Sequence, residues 1–328
     1  MKSITAIHRV YGNPAEVLNA EEVEVAAPKS GQAMIKLLRA CVNPSDMGMI
    51  GGSYGRLRQL PAIAGREGIG EVVEVGGGVE NVKVGDIVRI PEEPGVWAQY
   101  TVSDAENLMV LPKNLDLDTL AMSFINPPTA LLILEEFCEL KAGDWVIQNG
   151  AGSALGYFFT QICRSRGIRT INMLRNAAKK EANLKAIGAD IVVDEESFDA
   201  KNLKNLTGGE LPKLGLNQIG GASVSNMIKA MGQGGTIVTV GAMSSEPVRF
   251  PTRFLIFSDL RLRGFWWDKW QRAHSQAEKG KIFAKIFKMI EEGALRAPVD
   301  SVFPLSQIKD AMRRAAEGGR NGKVLLSF

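Results

Sequence analysis

Apolar positions follow one rhythm in the first third of the chain and another in the middle. Up to about residue 118 they alternate with polar positions or gather in short branched runs, at 3–10, 22–26, 33–42, 70–75, 86–90 and 97–102, with turns rich in Gly, Pro and Asp between them. These runs predict strands and a β-rich first domain. From 119 to 267 short apolar runs at 145–148, 169–174, 191–194, 214–219, 236–240 and 260–265 alternate with segments of helical period. Strand and helix in alternation predict an α/β domain with a doubly wound parallel sheet. After Asp268 one long amphipathic helix is expected to run to about Glu292, then a helix over 305–317 and a last strand over 323–328. A closing strand that short needs a sheet to join. Its return to the first domain would make that domain discontinuous, so the chain is expected to divide into 1–118, 119–267 and 268–328, the third segment rejoining the first.

Within the alternating region the stretch from Asp144 to Gly156, DWVIQNGAGSALG, reads as a strand, a glycine turn and the start of a helix. Such a turn, through Gly150 and Gly152, leaves backbone N–H groups at the positive end of the helix dipole, which suits a phosphate. Gly156 lets the helix approach the sheet closely, as in the first half of a dinucleotide fold. The spacing is GxGxxxG, and a plain strand-to-helix turn is the alternative. The next strand ends at Arg175, where an NAD-binding unit would carry an acid for the adenosine ribose; Lys179 and Lys180 follow. A guanidinium grips phosphate oxygens in a fork, so this position favours NADPH over NADH, unless the three cations only solvate a helix start.

Composition narrows the field. With 39 basic and 36 acidic residues the net charge is +3, and no block of like charge suggests a nucleic-acid or membrane partner. Cys41, Cys138 and Cys163 are scattered within apolar patterns, which fits reduced thiols in a cytoplasmic protein. No apolar run reaches the ~18 residues of a bilayer span, and the chain enters its first strand without a signal segment. His8, His274 and the three cysteines show no CxxC or HxxxH spacing, so no metal is expected.

The order of parts, with Asn43-Pro-Ser-Asp46, Gly65-Arg-Glu-Gly-Ile-Gly70, Val84-Gly-Asp86 and the glycine turn, resembles the medium-chain dehydrogenase/reductase superfamily over nearly the whole chain. The resemblance implies a GroES-like β domain and a Rossmann domain. Zinc-dependent members carry Cys-His-Thr-Asp and Gly-His-Glu where this chain has Asn43-Pro-Ser-Asp46 and Gly65-Arg-Glu67, so the ligand positions hold other residues. Without a Lewis acid, alcohol oxidation is difficult, whereas reducing an activated double bond needs mainly a placed hydride and a proton. Within the superfamily the segments Gly51-Gly-Ser-Tyr-Gly55, Asn126-Pro-Pro-Thr-Ala130, Ile147-Gln-Asn149, Thr170-Ile-Asn-Met-Leu-Arg175 and Phe254 to Trp266, with Trp270 after it, are similar to the 2-enoyl thioester reductases.

That resemblance implies NADPH-dependent reduction of trans-2-enoyl-CoA or enoyl-ACP. It places nucleotide contacts at Asn126, Gly152, Ser153, Ala154, Leu155, Arg175, Asn176, Ala177, Val240, Gly241, Ala242, Met243, Phe265, Trp266, Trp267 and Lys323, to which the glycine turn itself adds Gly150 and Gly156, and the proton donor at Tyr54. A phenol in a glycine-bracketed loop can donate a proton or stabilise an oxyanion, or else simply cover the loop. Asn43 either acts at the nicotinamide and substrate or caps the helix near Asp46. Trp266 and Trp270 either wall an acyl pocket or pack in a core. His274 is expected in solvent without a role. An NADPH:quinone reductase of the same fold, with no need of a donor at Tyr54, and a non-catalytic, zeta-crystallin-like NADPH-binding protein stay open. The edge strand over 260–265 is expected to pair with a second copy in a homodimer.

Overall fold

In the computed structural model, which describes residues 1–328, the strand Gln32–Cys41 is the spine of a β-rich unit made of Met1–Phe124 and Ala297–Phe328. It pairs antiparallel with Gly68–Val75, Tyr100–Asp104 and the last strand, Lys323–Ser327, which in turn lies parallel to Val299–Pro304. Ile87–Arg89 and Met109–Val110 extend the sheet beyond Gly68–Val75. A second, three-stranded sheet carries Lys2–His8 between Asn19–Glu24 and Ala62–Ile63. The core holds Leu18, Ile35, Leu37, Val72, Val88, Trp97, Met312 and Leu326. Both ends of the chain therefore serve one hydrophobic core, and the unit is discontinuous.

The other unit, Ile125–Arg296, is built on six parallel strands in the order Ile191–Asp194, Arg169–Leu174, Trp145–Gln148, Leu214–Asn217, Thr236–Thr239 and Arg261–Gly264. Numbered by sequence this is 3-2-1-4-5-6, the doubly wound dinucleotide-binding order, whose direction reverses between the first and fourth strands. Ile147, Ile171, Met173 and Ile237 are fully buried, as strands covered on both faces require.

The division falls after Phe124 and after Arg296, not after 118 and 267. Side chains explain the first shift: Cys41 Sγ donates to Ala121 O at 3.0 Å and the Phe124 N–H donates to Glu67 Oε1 at 2.8 Å, tying 119–124 to the β-rich unit. The second follows from Ile282, Phe283, Ile286 and Ile290, the buried face of the helix Gln276–Glu291, with Phe283 meeting Trp267 edge-on and Lys285 pairing with Glu135 at 3.0 Å. The long helix expected after Asp268 is two helices, Trp267–Ala273 and Gln276–Glu291. Ser275 and Glu278 form a capping box that starts the second, so the chain turns at His274 instead of continuing.

Candidate active site

In the Rossmann unit the expected nucleotide residues gather at the carboxyl ends of the strands. Gly150 follows Trp145–Gln148 with φ +60°, Arg175 and Asn176 follow Arg169–Leu174, Val240 to Met243 follow Thr236–Thr239, and Phe265 follows Arg261–Gly264. Ser153 caps the twelve-residue helix Ala154–Ser165, its Oγ accepting the Gly156 N–H at 3.0 Å. A Cβ on Gly156 would stand 2.5 Å from Ala151 O, and one on Gly152 would stand 3.0 Å from Lys180 Cδ. Backbone crowding thus requires glycine at 156, whereas at 152 it is the flexible Lys180 side chain that closes in, its ammonium 3.5 Å from Gly152 O.

A buried amide net that the sequence pattern did not indicate fixes this turn. Ser153 Oγ donates to Gln218 Oε1 at 2.8 Å, Gln218 Nε2 donates to Asn149 O at 3.0 Å, and Asn149 Nδ2 donates to Asn217 Oδ1 at 2.8 Å and Ser223 Oγ at 2.9 Å. Gln218 and Asn149 thereby join the two strands at which the sheet order reverses. Asn149 stood in the segment similar to the enoyl thioester reductases, whereas Gln218 showed only as a polar residue near the end of an apolar run. Arg175 is exposed, with Asn176 in the left-handed region at φ 53° and Asp194 accepting the Ala177 N–H at 2.9 Å. The cradle and helix dipole fit the pyrophosphate of a dinucleotide, and the cation at the ribose position fits a 2′-phosphate.

Of the other expected residues, Asn126 opens the helix Asn126–Glu136 and is half-buried. The tryptophans separate. Trp267 and Trp270 are buried and stacked at 5.3 Å, and Trp270 Nε1 donates to Glu136 Oε1 at 2.7 Å. These rings pack in the core of their unit, with the Trp270 ring stacked between Trp267 and His274 and its N–H engaged, so packing is the role the structure gives them. Trp266 is half-buried, with the Arg272 guanidinium 5.0 Å from its ring. His274, expected in solvent, is half-buried and stacks on Trp270 at 3.9 Å.

The β-rich unit gathers a second group from distant segments. Asn43 precedes the helix Pro44–Gly51, and its backbone N–H donates to Asp46 Oδ2 at 2.7 Å. Its side chain donates to Glu67 Oε2 at 2.9 Å and accepts from Lys323 Nζ. Lys323, expected at the nucleotide, is thus a buried partner of Asn43. The last strand delivers the ammonium beside Asn43, the residue expected at the nicotinamide. The helix ends at Gly52 with φ 80°, so the chain turns and Tyr54, half-buried, follows at once. Its hydroxyl oxygen accepts from Arg66 Nη1 at 2.9 Å, and Arg66 Nη2 donates to Glu92 Oε2 at 2.8 Å.

Glycine again decides the placement. Gly65 has φ +90°, and a Cβ there would lie 2.2 Å from Trp97 Cδ1, so only glycine lets the turn carry Arg66 and Glu67 inward over that indole. Burial pushes the Asp46 carboxyl up to about 6, although Arg66, the Asn43 N–H, Arg58 and Lys323 oppose it. Burial also works against ionised Glu92, but Arg66, with Arg56 and Arg58, outweighs it and holds that carboxyl below its ordinary value. The acids Asp46, Glu67 and Glu92 are faced by cations that include Arg56, Arg58, Arg66, Arg89 and Lys323, which is how so many charges are tolerated inside.

Residues 29–113 match the alcohol dehydrogenase GroES-like domain and residues 187–326 a zinc-binding dehydrogenase domain. The mitochondrial enoyl-[acyl-carrier-protein] reductase of Rattus norvegicus is 39% identical over 328 residues, 97% of this chain and 88% of that protein. The chain belongs to the enoyl thioester reductases of the medium-chain dehydrogenase/reductase superfamily. Among solved structures of this superfamily, the complex of Etr1p with NADP and crotonyl-CoA superposes with a TM-score of 0.92 at 27% identity, covering 100% of both chains. A putative NADPH:quinone reductase from Bacillus thuringiensis gives the same TM-score at 26% identity, covering 100% of this chain and 99% of its own. In this reductase no three His, Cys, Asp or Glu side chains are grouped to hold a metal ion, and Arg66 stands at the position of the zinc-dependent branch's histidine.

Proposed function

We propose that this reductase saturates the C2=C3 bond of a trans-2-enoyl thioester with NADPH, and that Tyr54 supplies the proton. The observation that carries the reading is the Tyr54 hydroxyl held by a buried guanidinium in a unit with no grouped metal donors. NADPH, when bound, supplies the hydride that reaches C3. Ser153, Gly152, Gly156 and Arg175 serve to hold its phosphates. Charge that develops on C2 and the thioester oxygen is met by the Tyr54 phenol, which stabilises it and then delivers its proton to C2. Asn43 is locked between Glu67 and Lys323, so its side chain orients the wall of the site instead of moving a proton.

The test is a steady-state comparison of NADPH oxidation with crotonyl-CoA, longer enoyl-CoAs and a quinone. Turnover of the enoyl thioesters that depends on the Tyr54 hydroxyl is expected. Turnover of the quinone alone, indifferent to Tyr54→Phe, would make the chain a quinone reductase, and NADPH binding with no acceptor reduced would make it a non-catalytic binder. The assembly we infer is a homodimer through the strand Arg261–Gly264, all four of whose residues are exposed, beside the helix Thr252–Ser258 with Ile256 and Phe257 in solvent. A monomer in sedimentation at micromolar concentration would contradict it.

A further inference from the structure

We infer that Arg66 is the positioning residue of the proton donor: it holds the Tyr54 phenol oxygen from behind, so that the phenol hydrogen is presented away from it, and it steadies the charge left on that oxygen once the proton has gone. The inference rests on the reading of Tyr54 as donor. A guanidinium has hydrogens to give and no lone pair to accept with, so the Arg66 Nη1 to Tyr54 Oη bond of 2.9 Å can run in only one direction. The phenol hydrogen must then point elsewhere. Arg66 is 3% exposed and its guanidinium carbon lies over the half-buried Tyr54 ring, 4.8 Å from the centroid, so the cation backs the ring on its buried side.

The guanidinium is itself held. Glu92 Oε2 accepts from Nη2 at 2.8 Å, while Glu92 Oε1 is taken by Arg56, so the plane of Arg66 is fixed by a second partner that is fixed in turn. Gly65, over Trp97, sets where the side chain starts. In the reaction the hydride adds at C3, a C–H bond forms at C2 as the Tyr54 O–H bond breaks, and the phenolate regains a proton from water; NADPH and one proton are consumed for each double bond. A bond from a cation to oxygen strengthens as that oxygen becomes anionic, so Arg66 binds the transition state better than the ground state. The positive charge beside the reacting groups, supplied by a metal in the zinc-dependent branch, is here carried by a side chain that acts through tyrosine.

The experiment is a double-mutant cycle of Arg66→Gln and Tyr54→Phe, with kcat and KM for crotonyl-CoA, NADPH affinity by fluorescence, and the thermal midpoint. Arg66→Gln is expected to lower kcat about ten- to a hundredfold, with KM and NADPH affinity near wild type, and to add nothing on the Tyr54→Phe background. Arg66→Lys, which keeps the charge opposite Glu92, should recover part of the loss. An Arg66→Gln loss of equal size on both backgrounds, or none at all, would overturn the inference while leaving Tyr54 as donor. Full kcat in Tyr54→Phe alone would remove the reading beneath it. Should Arg66→Gln fail to fold, Arg66→Lys enters the same cycle: a fall in kcat that vanishes on the Tyr54→Phe background supports the role, and one that persists refutes it.

Discussion

The glycine turn of the Rossmann unit and the Tyr54 group of the β-rich unit solve opposite problems. The turn works by what is missing: Gly152 and Gly156 leave room, and backbone N–H groups and a dipole provide the field. The Tyr54 group works by what is crowded in, with Asn43, Arg66, Glu67, Glu92 and Lys323 drawn from four separate stretches and locked by mutual charge. A site of the first kind binds a constant feature of a cofactor and tolerates little bulk. A site of the second kind places one atom, and each member depends on the others.

The comparison breaks most visibly at Tyr54. Tyr54→Phe should lower kcat and kcat/KM for an enoyl thioester together by ~10²–10⁴-fold, roughly 3–5 kcal/mol of barrier, with NADPH affinity retained. Stopped-flow and steady-state assays check it. A rise in KM alone would make the residue a binding wall.

Asp46 tests the same region through stability. Its folded-state value of about 6 lies above the ordinary 3.8, so the carboxyl is neutral in both states below about pH 4 and ionised in both above about pH 6. A raised value means that stability is greatest at the acid end and is lost as pH climbs through that window, by up to roughly 3 kcal/mol. Denaturant melts of Asp46→Asn from pH 4 to 7 should lack this decline.

The turn should respond first in cofactor binding. Arg175→Ala is expected to weaken NADPH tenfold or more, ~1.5–3 kcal/mol, with NADH little changed, and wild-type protein that binds both equally would defeat this. Gly156→Ala, which sets a methyl 2.5 Å from Ala151 O, should cost about 1–3 kcal/mol and appear as a lower melting point and weaker cofactor binding in calorimetry. The smallest expectation is no change: chelators should leave activity intact, and stoichiometric zinc lost along with activity from untagged protein would overturn it.

How legible each region was follows from the same contrast. The strands of the parallel sheet were readable to within a residue or two because each is a buried apolar run, and the turn was readable because its requirement is local. Tyr54 showed as a phenol among glycines, but its bond to Arg66 depends on the φ of Gly65 and on Trp97 from another loop, which no period encodes. Gln218 escaped for a related reason, since one buried amide at a strand end looks like any other polar residue. The Ser275-to-Glu278 capping box was visible and lost to the stronger amphipathic pattern around it. Lys323 was assigned by resemblance to the nucleotide, and only the pairing of the last strand reveals its partner.

That last strand has a consequence for how the protein is made. Lys323–Ser327 lies beside Gln32–Cys41, and its first residue completes the bond to Asn43, a partner 280 residues earlier. On the ribosome the Rossmann unit has all of its own strands and helices long before the β-rich unit has its final one. In a chain that has not yet formed this strand, every strand and helix of the Rossmann unit is already present while the Asn43 side chain still lacks its bond from the Lys323 ammonium.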